Sequence, residues 1–250
     1  MKIDSDRMKK GLQVAVAHFW GSRTRQATAQ KKRGSADQGA RAAVTGGAQM
    51  DGFVGLIAQI IQDAGIPEAT VHRNKHLELP GYFRATKRWD LVVVADGALL
   101  AVIEAKSQVG PSFGNNFNNR TEEAIGSAVD LWTAYREGAF PLSPRTWLGY
   151  LFLLEDCERS RAPVSVDEPH FQVFSEFRDA SYKRRYELLC RKLVRERHYE
   201  AAAFLTSSAA EGKEGEFDEP AADLTFAAFA ASLAGSMSAF AAAKNARENG

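Results

Sequence analysis

Three ionisable side chains stand inside apolar strand-like sequence, where charge is costly: Asp90, Glu104 and Lys106. Trp89 to Ala95 and Leu99 to Ser107 are β-branched and aliphatic runs, and Asp96-Gly97 between them is a turn signal, so the stretch reads as a β-hairpin. Carboxylates buried in a sheet need a partner, either a cation or a salt bridge. Two acidic ligands with a lysine beside them are what phosphodiester hydrolysis requires. The carboxylates hold Mg²⁺, a hard cation that takes oxygen ligands and keeps several waters. The metal stabilises charge on the phosphate and helps to generate hydroxide. The lysine positions or deprotonates water, or stabilises transition-state charge.

Register decides whether the three can act together. A two-residue turn that pairs Ala95 with Ala98 would set Asp90 opposite Ile103 and send Glu104 to the other face. A three-residue turn pairs Ala95 with Leu99, sets Asp90 across from Glu104, and brings Lys106 to the same face. The chemistry predicts the odd-length connection or an equivalent bulge.

Asp90 followed after thirteen residues by Glu104-Ala105-Lys106 resembles the PD-(D/E)XK nuclease superfamily, with Trp89 where a proline is usual. The sequence from Lys106 through Ser112-Phe113-Gly114-Asn115-Asn116-Phe117-Asn118-Asn119-Arg120 to Ala128 closely resembles the XhoI-type restriction endonucleases. The segment Arg41 to Phe53 and the block Lys87-Arg88-Trp89-Asp90 fit the same family, so the likeness covers nearly the whole chain. It implies an αβββαβ core with Asp90, Glu104 and Lys106 as catalytic residues. Asp90, Glu104 and the Ala105 carbonyl are then the Mg²⁺ ligands. It also implies a palindromic double-stranded DNA target, CTCGAG in this family. A palindrome read symmetrically implies a two-fold homodimer. A cognate DNA methyltransferase would protect the host.

The elements that must position these residues follow from periodicity. The chain has 250 residues and a formal net charge of only +1, so positive charge for DNA has to be segregated locally. Two cysteines, Cys157 and Cys190, indicate no disulfide framework, and the charged N-terminus lacks a signal-like apolar region. A bacterial cytoplasm is the expected compartment. Ser5 to Trp20 has a helical apolar stripe. Gly21 to Gly47 reads as a flexible basic arm, with Arg23, Arg25, Lys31, Lys32, Arg33 and Arg41 facing only Asp37. Asp51 caps a second helix that Gly65-Ile66-Pro67 stops. Glu68 to Leu79 reads as a strand. Arg84, Lys87 and Arg88 precede the first acid as candidates for DNA contact, and at least one of them is expected at a phosphate.

Gln108 to Asn119 reads as a loop in which Gln108, Asn115, Asn116, Asn118, Asn119 and Arg120 are candidates for DNA contact, Asn and Arg being the side chains that bond adenine and guanine bidentately. Asn119 with Glu122 would cap a helix running to Arg136. Thr146 to Leu154 is a buried strand, Ser181 to Tyr199 a basic helix, and Ala201 to Thr206 a further strand. Leu224 to Ala243 carries no charge. Its Ala- and Ser-rich composition favours a helix docked on the fold over a membrane span. The whole reads as one α/β (α+β) domain over 1–250, with a mixed sheet flanked by helices, its catalytic core in 50–154 and a helical part in 178–250. Two rival functions fit the same residues: a repair or recombination nuclease, and a non-catalytic DNA-binding module in which the three charges form a salt-bridge network.

Overall fold

Strands whose residues are apolar on both faces need cover on both faces, and that requirement organises this chain. The structure, a computed structural model, describes residues 4–33 and 48–248. The helices are α1 (Ser5–Arg33), α2 (Asp51–Asp63), α3 (Phe113–Arg136), α4 (Glu158–Arg161), α5 (Tyr182–Arg195) and α6 (Phe226–Glu248). The strands are β1 (Val71–His72), β2 (Glu78–Pro80), β3 (Thr86–Arg88), β4 (Leu91–Ala95), β5 (Ala98–Gln108), β6 (Trp147–Glu155) and β7 (Ala201–Ser207). Among the described residues the main sheet has five strands in the order β1-β4-β5-β6-β7. The β1, β4 and β5 neighbours are antiparallel, whereas β5, β6 and β7 run parallel. The parallel steps are bridged by α3 and α5, as parallel neighbours require a crossover.

Leu91, Val93, Ile103, Leu151 and Leu205 pack against the apolar faces of α1, α2 and α6. Val92, Val102, Tyr150, Phe152 and Phe204 pack on the opposite face against α3 and α5. Counted from α2 and with the small β2–β3 ribbon set aside, the order is the expected helix, three strands, helix, strand. The uncharged C-terminal segment forms α6, of which Phe226–Ala246 is long and apolar enough to cross a membrane. Its Phe226, Phe229, Leu233 and Met237 are buried in the core.

The expected hairpin forms by the bulged route. Asp96 and Gly97 both have positive φ (52° and 75°), the geometry of a two-residue turn matched to strand twist, and Ala95 pairs with Ala98. The register then shifts between Val93 and Val94, so Val94 faces Leu99 and Val93 faces Ala101. Leu100 is the extra residue. Beyond it Leu91 pairs with Ile103, which carries Asp90 and Glu104 to the same side.

Several boundaries differ from expectation. The first helix does not stop at Trp20 but continues to Arg33, so the first part of the supposed arm is helical; residues 34–47 lie outside the described residues. Met50 rather than Asp51 is the N-cap of α2; Asp51 sits in the first turn, where its charge favours the helix dipole. Glu68 to Leu79 is not one strand. A 3-10 turn, the two-residue β1 and a His76 at φ 56° break it before β2. The supposed loop up to Asn119 is largely helix, since α3 begins at Phe113 with Ser112 as N-cap.

Gly149 in β6 lies under α6, and a Cβ there would run into the Trp147 ring and come within 2.8 Å of Phe229. Trp147 is held by its Nε1, which donates to Ser232 Oγ on α6 at 3.0 Å. Gly149→Ala is therefore expected to lower unfolding free energy by about 2 kcal/mol through overpacking. Denaturant titration measures this, and an unchanged midpoint would contradict the packing described.

Candidate active site

Glu104 is the most deeply placed acid of the hairpin, its side chain only 3% exposed. A carboxylate so buried must be compensated, and two lysines do so. Lys106 pairs with Glu104 Oε1 from the same face of β5, and Lys87 Nζ lies 2.8 Å from Oε2. Lys87 also sits over the Trp89 ring at 4.1 Å, and its Nζ donates to the Arg88 carbonyl. Asp90 stands at the start of β4, where its Oδ2 accepts the Ala105 N–H at 2.8 Å and lies 4.0 Å from Lys106 Nζ. The three residues expected to converge do so, and Lys87 joins them.

Burial raises the Asp90 carboxyl above the ordinary aspartate range, and repulsion from Glu104 adds to this. Burial pushes Glu104 in the same direction, but Lys106 and Lys87 outweigh it and hold that carboxyl low. Burial alone would lower Lys106; Glu104 and Asp90 instead keep it above the usual lysine range. Lys106 is thus a protonated donor in the absence of metal.

The donor set fits a hard divalent cation. Asp90, Glu104 and the Ala105 carbonyl offer oxygen, and burial, with repulsion from Glu104 added to it, raises the Asp90 carboxyl. Among the described residues no group of three or more His, Cys, Asp or Glu could hold a metal. A cation here would rest on two carboxylates, a carbonyl and water, which is how Mg²⁺ is usually bound.

Glu104 and Lys106 open onto a cavity of about 800 Å³ whose wall also carries Arg84, Lys87, Arg88, Arg120 and residues of α3. Four of the residues expected at DNA therefore line the same space as the acid–lysine pair. Arg88 pairs with Glu78 across the β2–β3 ribbon and remains exposed. Arg120 leans on Glu123 one turn along α3. Asn115, Asn118 and Asn119 are exposed on the first turns of α3, and Asn116 is half-buried. Asn115 lines a smaller cleft with Arg159 and Tyr182. Gln108 is buried, and its Nε2 donates to the Val109 carbonyl.

Two contributors were not foreseen. Gln49 donates to Ser107 Oγ at 3.0 Å and accepts from Arg23 at 3.1 Å, tying the turn before α2 and helix α1 to β5 next to Lys106. Asp130, buried on α3, accepts the Tyr82 and Phe83 N–H groups with one oxygen and Arg84 Nε with the other. The available signal was an acid placed between Val129 and Leu131 in an apolar helical stretch.

Residues 29–219 match the family described as restriction endonuclease XhoI. The chain is 52% identical over 208 residues to the type II restriction enzyme BstVI of Geobacillus stearothermophilus, covering 81% of this chain and 93% of that one. It is 46% identical over 196 residues to the type II restriction enzyme XhoI of Xanthomonas vasicola, covering 78% of each. It is 52% identical over 173 residues to the type II restriction enzyme AbrI of Azospirillum brasilense, covering 69% of this chain and 78% of that one. No solved structure matches.

Asp90 has a raised pKa, so the folded state holds its proton more tightly than the unfolded chain. Stability from this group is present at low pH and is lost as pH rises through the folded value. At neutral pH the ionised carboxylate is a cost. Asp90→Asn keeps an acceptor for the Ala105 N–H and removes that charge. The metal-free variant is expected to melt about 2–4 °C above wild type and to gain nothing from added Mg²⁺, where wild type is expected to gain. Calorimetry with and without Mg²⁺ checks this, and a metal-free variant melting below wild type would contradict it.

Asp130→Ala should cost about 2 kcal/mol through the N–H groups and Arg84 it strands. Its carboxyl is held low: burial opposes this, but Arg84 and the two N–H groups prevail. The contribution is therefore present above the unfolded aspartate pKa and is lost as pH falls through the folded one. Urea titrations at pH 7 and pH 3 should show the wild-type advantage shrinking in acid; a constant difference would refute it.

Proposed function

The chain belongs to the restriction endonuclease XhoI family, and we propose that Asp90, Glu104 and Lys106 are the residues with which it cuts DNA. It is a type II restriction endonuclease, and DNA is its substrate. Enzymes of this class generally use a divalent metal. Our assignment is Mg²⁺ held by Asp90, Glu104 and the Ala105 carbonyl. When bound, the ion supplies charge for the phosphate and acidifies water.

The chain's own residues do the rest. Glu104 would share in holding such a cation through the carboxylate that now pairs with Lys106. Lys106, whose Nζ stands beside both acids, donates to the attacking water or to a phosphate oxygen. Lys87 continues to hold Glu104 in place through its other oxygen. Arg84, Arg88 and Arg120 face the cavity and take phosphates. Asn115, Asn118 and Asn119, exposed at the start of α3, are the candidates for base edges, with Asn116 beside them. The cluster of buried Glu104 with its two lysines, opening onto a cavity walled by arginines, is the observation that carries this reading.

The target we assign is the palindrome CTCGAG, read by a homodimer with one site per strand, with a cognate methyltransferase as functional partner. The compartment we assign is the bacterial cytoplasm, with no membrane attachment, since the apolar stripe of α6 is spent on the core.

Digestion of a sequenced plasmid in Mg²⁺ is expected to give discrete fragments ending at CTCGAG, and EDTA to abolish them. Lys106→Ala and Asp90→Ala should each lower the rate by at least about a hundredfold while near-wild-type circular dichroism is retained. Cutting by either variant at the wild-type rate would contradict the assignment.

A further inference from the structure

The turn between β2 and β3 presents two large aromatic rings to solvent: Tyr82 is 56% exposed and Phe83 71%. They touch edge to face at 5.4 Å. This turn is clamped. The Tyr82 and Phe83 N–H groups donate to Asp130 Oδ1 at 2.7 and 2.8 Å, and Arg84 Nε donates to Oδ2 at 2.7 Å. The Asp130 side chain is only 4% exposed. Gly81 N–H closes the turn on the Ala85 carbonyl, and any side chain at Gly81 would overlap the Asp130 carboxylate. A buried charge and an obligatory glycine thus fix the backbone while both rings point outward.

We propose that Tyr82 and Phe83 form a rigid aromatic wedge that contacts the bases of the DNA duplex beside the cut phosphate. Phe83 lines the same cavity as Glu104 and Lys106, so a duplex placed for cleavage meets the wedge. Arg84, Lys87 and Arg88 line that cavity with Phe83, each paired with a carboxylate, Asp130, Glu104 and Glu78 in turn. Aromatic side chains stack on bases or enter base steps, and either mode needs the rings held proud of the protein surface. Among the described residues, the other exposed large apolar side chains, such as Phe171 and Phe174, do not line this cavity. The wedge rests on the DNA-cleaving assignment above and adds to it a contact with bases.

The test uses the full-length protein and a duplex containing the sequence it cuts, with 2-aminopurine at a purine of that sequence. Wild type is expected to raise the probe's fluorescence in a phase that precedes cleavage, as the base unstacks. The Tyr82→Ala/Phe83→Ala double variant keeps the clamp, which is made by main-chain groups and Arg84, and should melt as wild type does. It should lose the fluorescence phase and cut with kcat/KM lowered about ten- to a hundredfold; Phe83→Trp should restore most of both. Lys106→Ala separates the two readings, since it is expected to keep the fluorescence phase while losing cleavage. Wild-type fluorescence and kcat/KM in the double variant would overturn the wedge with the cleavage site intact. So would a loss traced by sedimentation to dissociation of the free protein, which would make the rings a subunit contact. A wild-type protein that neither binds nor cuts DNA would overturn both.

Discussion

A carboxylate removed from water must be answered by positive charge, and the answer given to Glu104 shapes everything around it. Two lysines from different strands meet its two oxygens, Lys106 from β5 and Lys87 from β3. Asp90 is kept close without a full ion pair of its own, bonded to the Ala105 N–H and 4.0 Å from Lys106. The cluster is balanced but not relaxed: one acid is held low and the other is pushed up.

The arrangement depends on one residue in the hairpin. Without Leu100 as the odd residue of β5, the two-residue turn at Asp96-Gly97 would place the acids on opposite faces. The bulge lets a turn with favourable twist coexist with a register that unites the acids. Parallel pairing with β6 then fixes β5 from the other side, with Glu104 beside the fully buried Tyr150. Helix α3, anchored on this face through Ala124, Ala128 and Leu131, supplies the far wall of the cavity and carries Asp130, which clamps the β2–β3 turn. The residues we assign to the phosphate stand on strands of a doubly covered sheet. Those we assign to the rest of the DNA stand on a helix and a clamped turn around it.

What could be read from the chain alone follows from where the information is local. Asp90, Glu104 and Lys106 were legible because charge within β-branched runs is conspicuous and side-chain alternation is strict. The need for an odd residue followed from the chemistry, although whether turn or strand supplied it did not: Asp96 and Gly97 tolerate both forms. The asparagines after Phe113 read as a loop in sequence because Asn and Gly have weak helix propensity. Phe113 and Phe117, one turn apart and packed around Tyr182 and Tyr186, override that preference. Helix α1 passes Gly21 with no local signal to stop it except that glycine. The clamp at Asp130 and the bond between Gln49 and Ser107 join residues 47 and 58 positions apart, a relation that no periodicity encodes.

The central claim, that Asp90 and Glu104 jointly hold one divalent ion at the mouth of the arginine-lined cavity, is tested most directly by anomalous diffraction from crystals grown with Mn²⁺. The account predicts an anomalous peak within about 2.5 Å of a carboxylate oxygen of each residue, with Lys106 turned away from Glu104. A peak elsewhere, or Glu104 still paired with both lysines at saturating Mn²⁺, would contradict it.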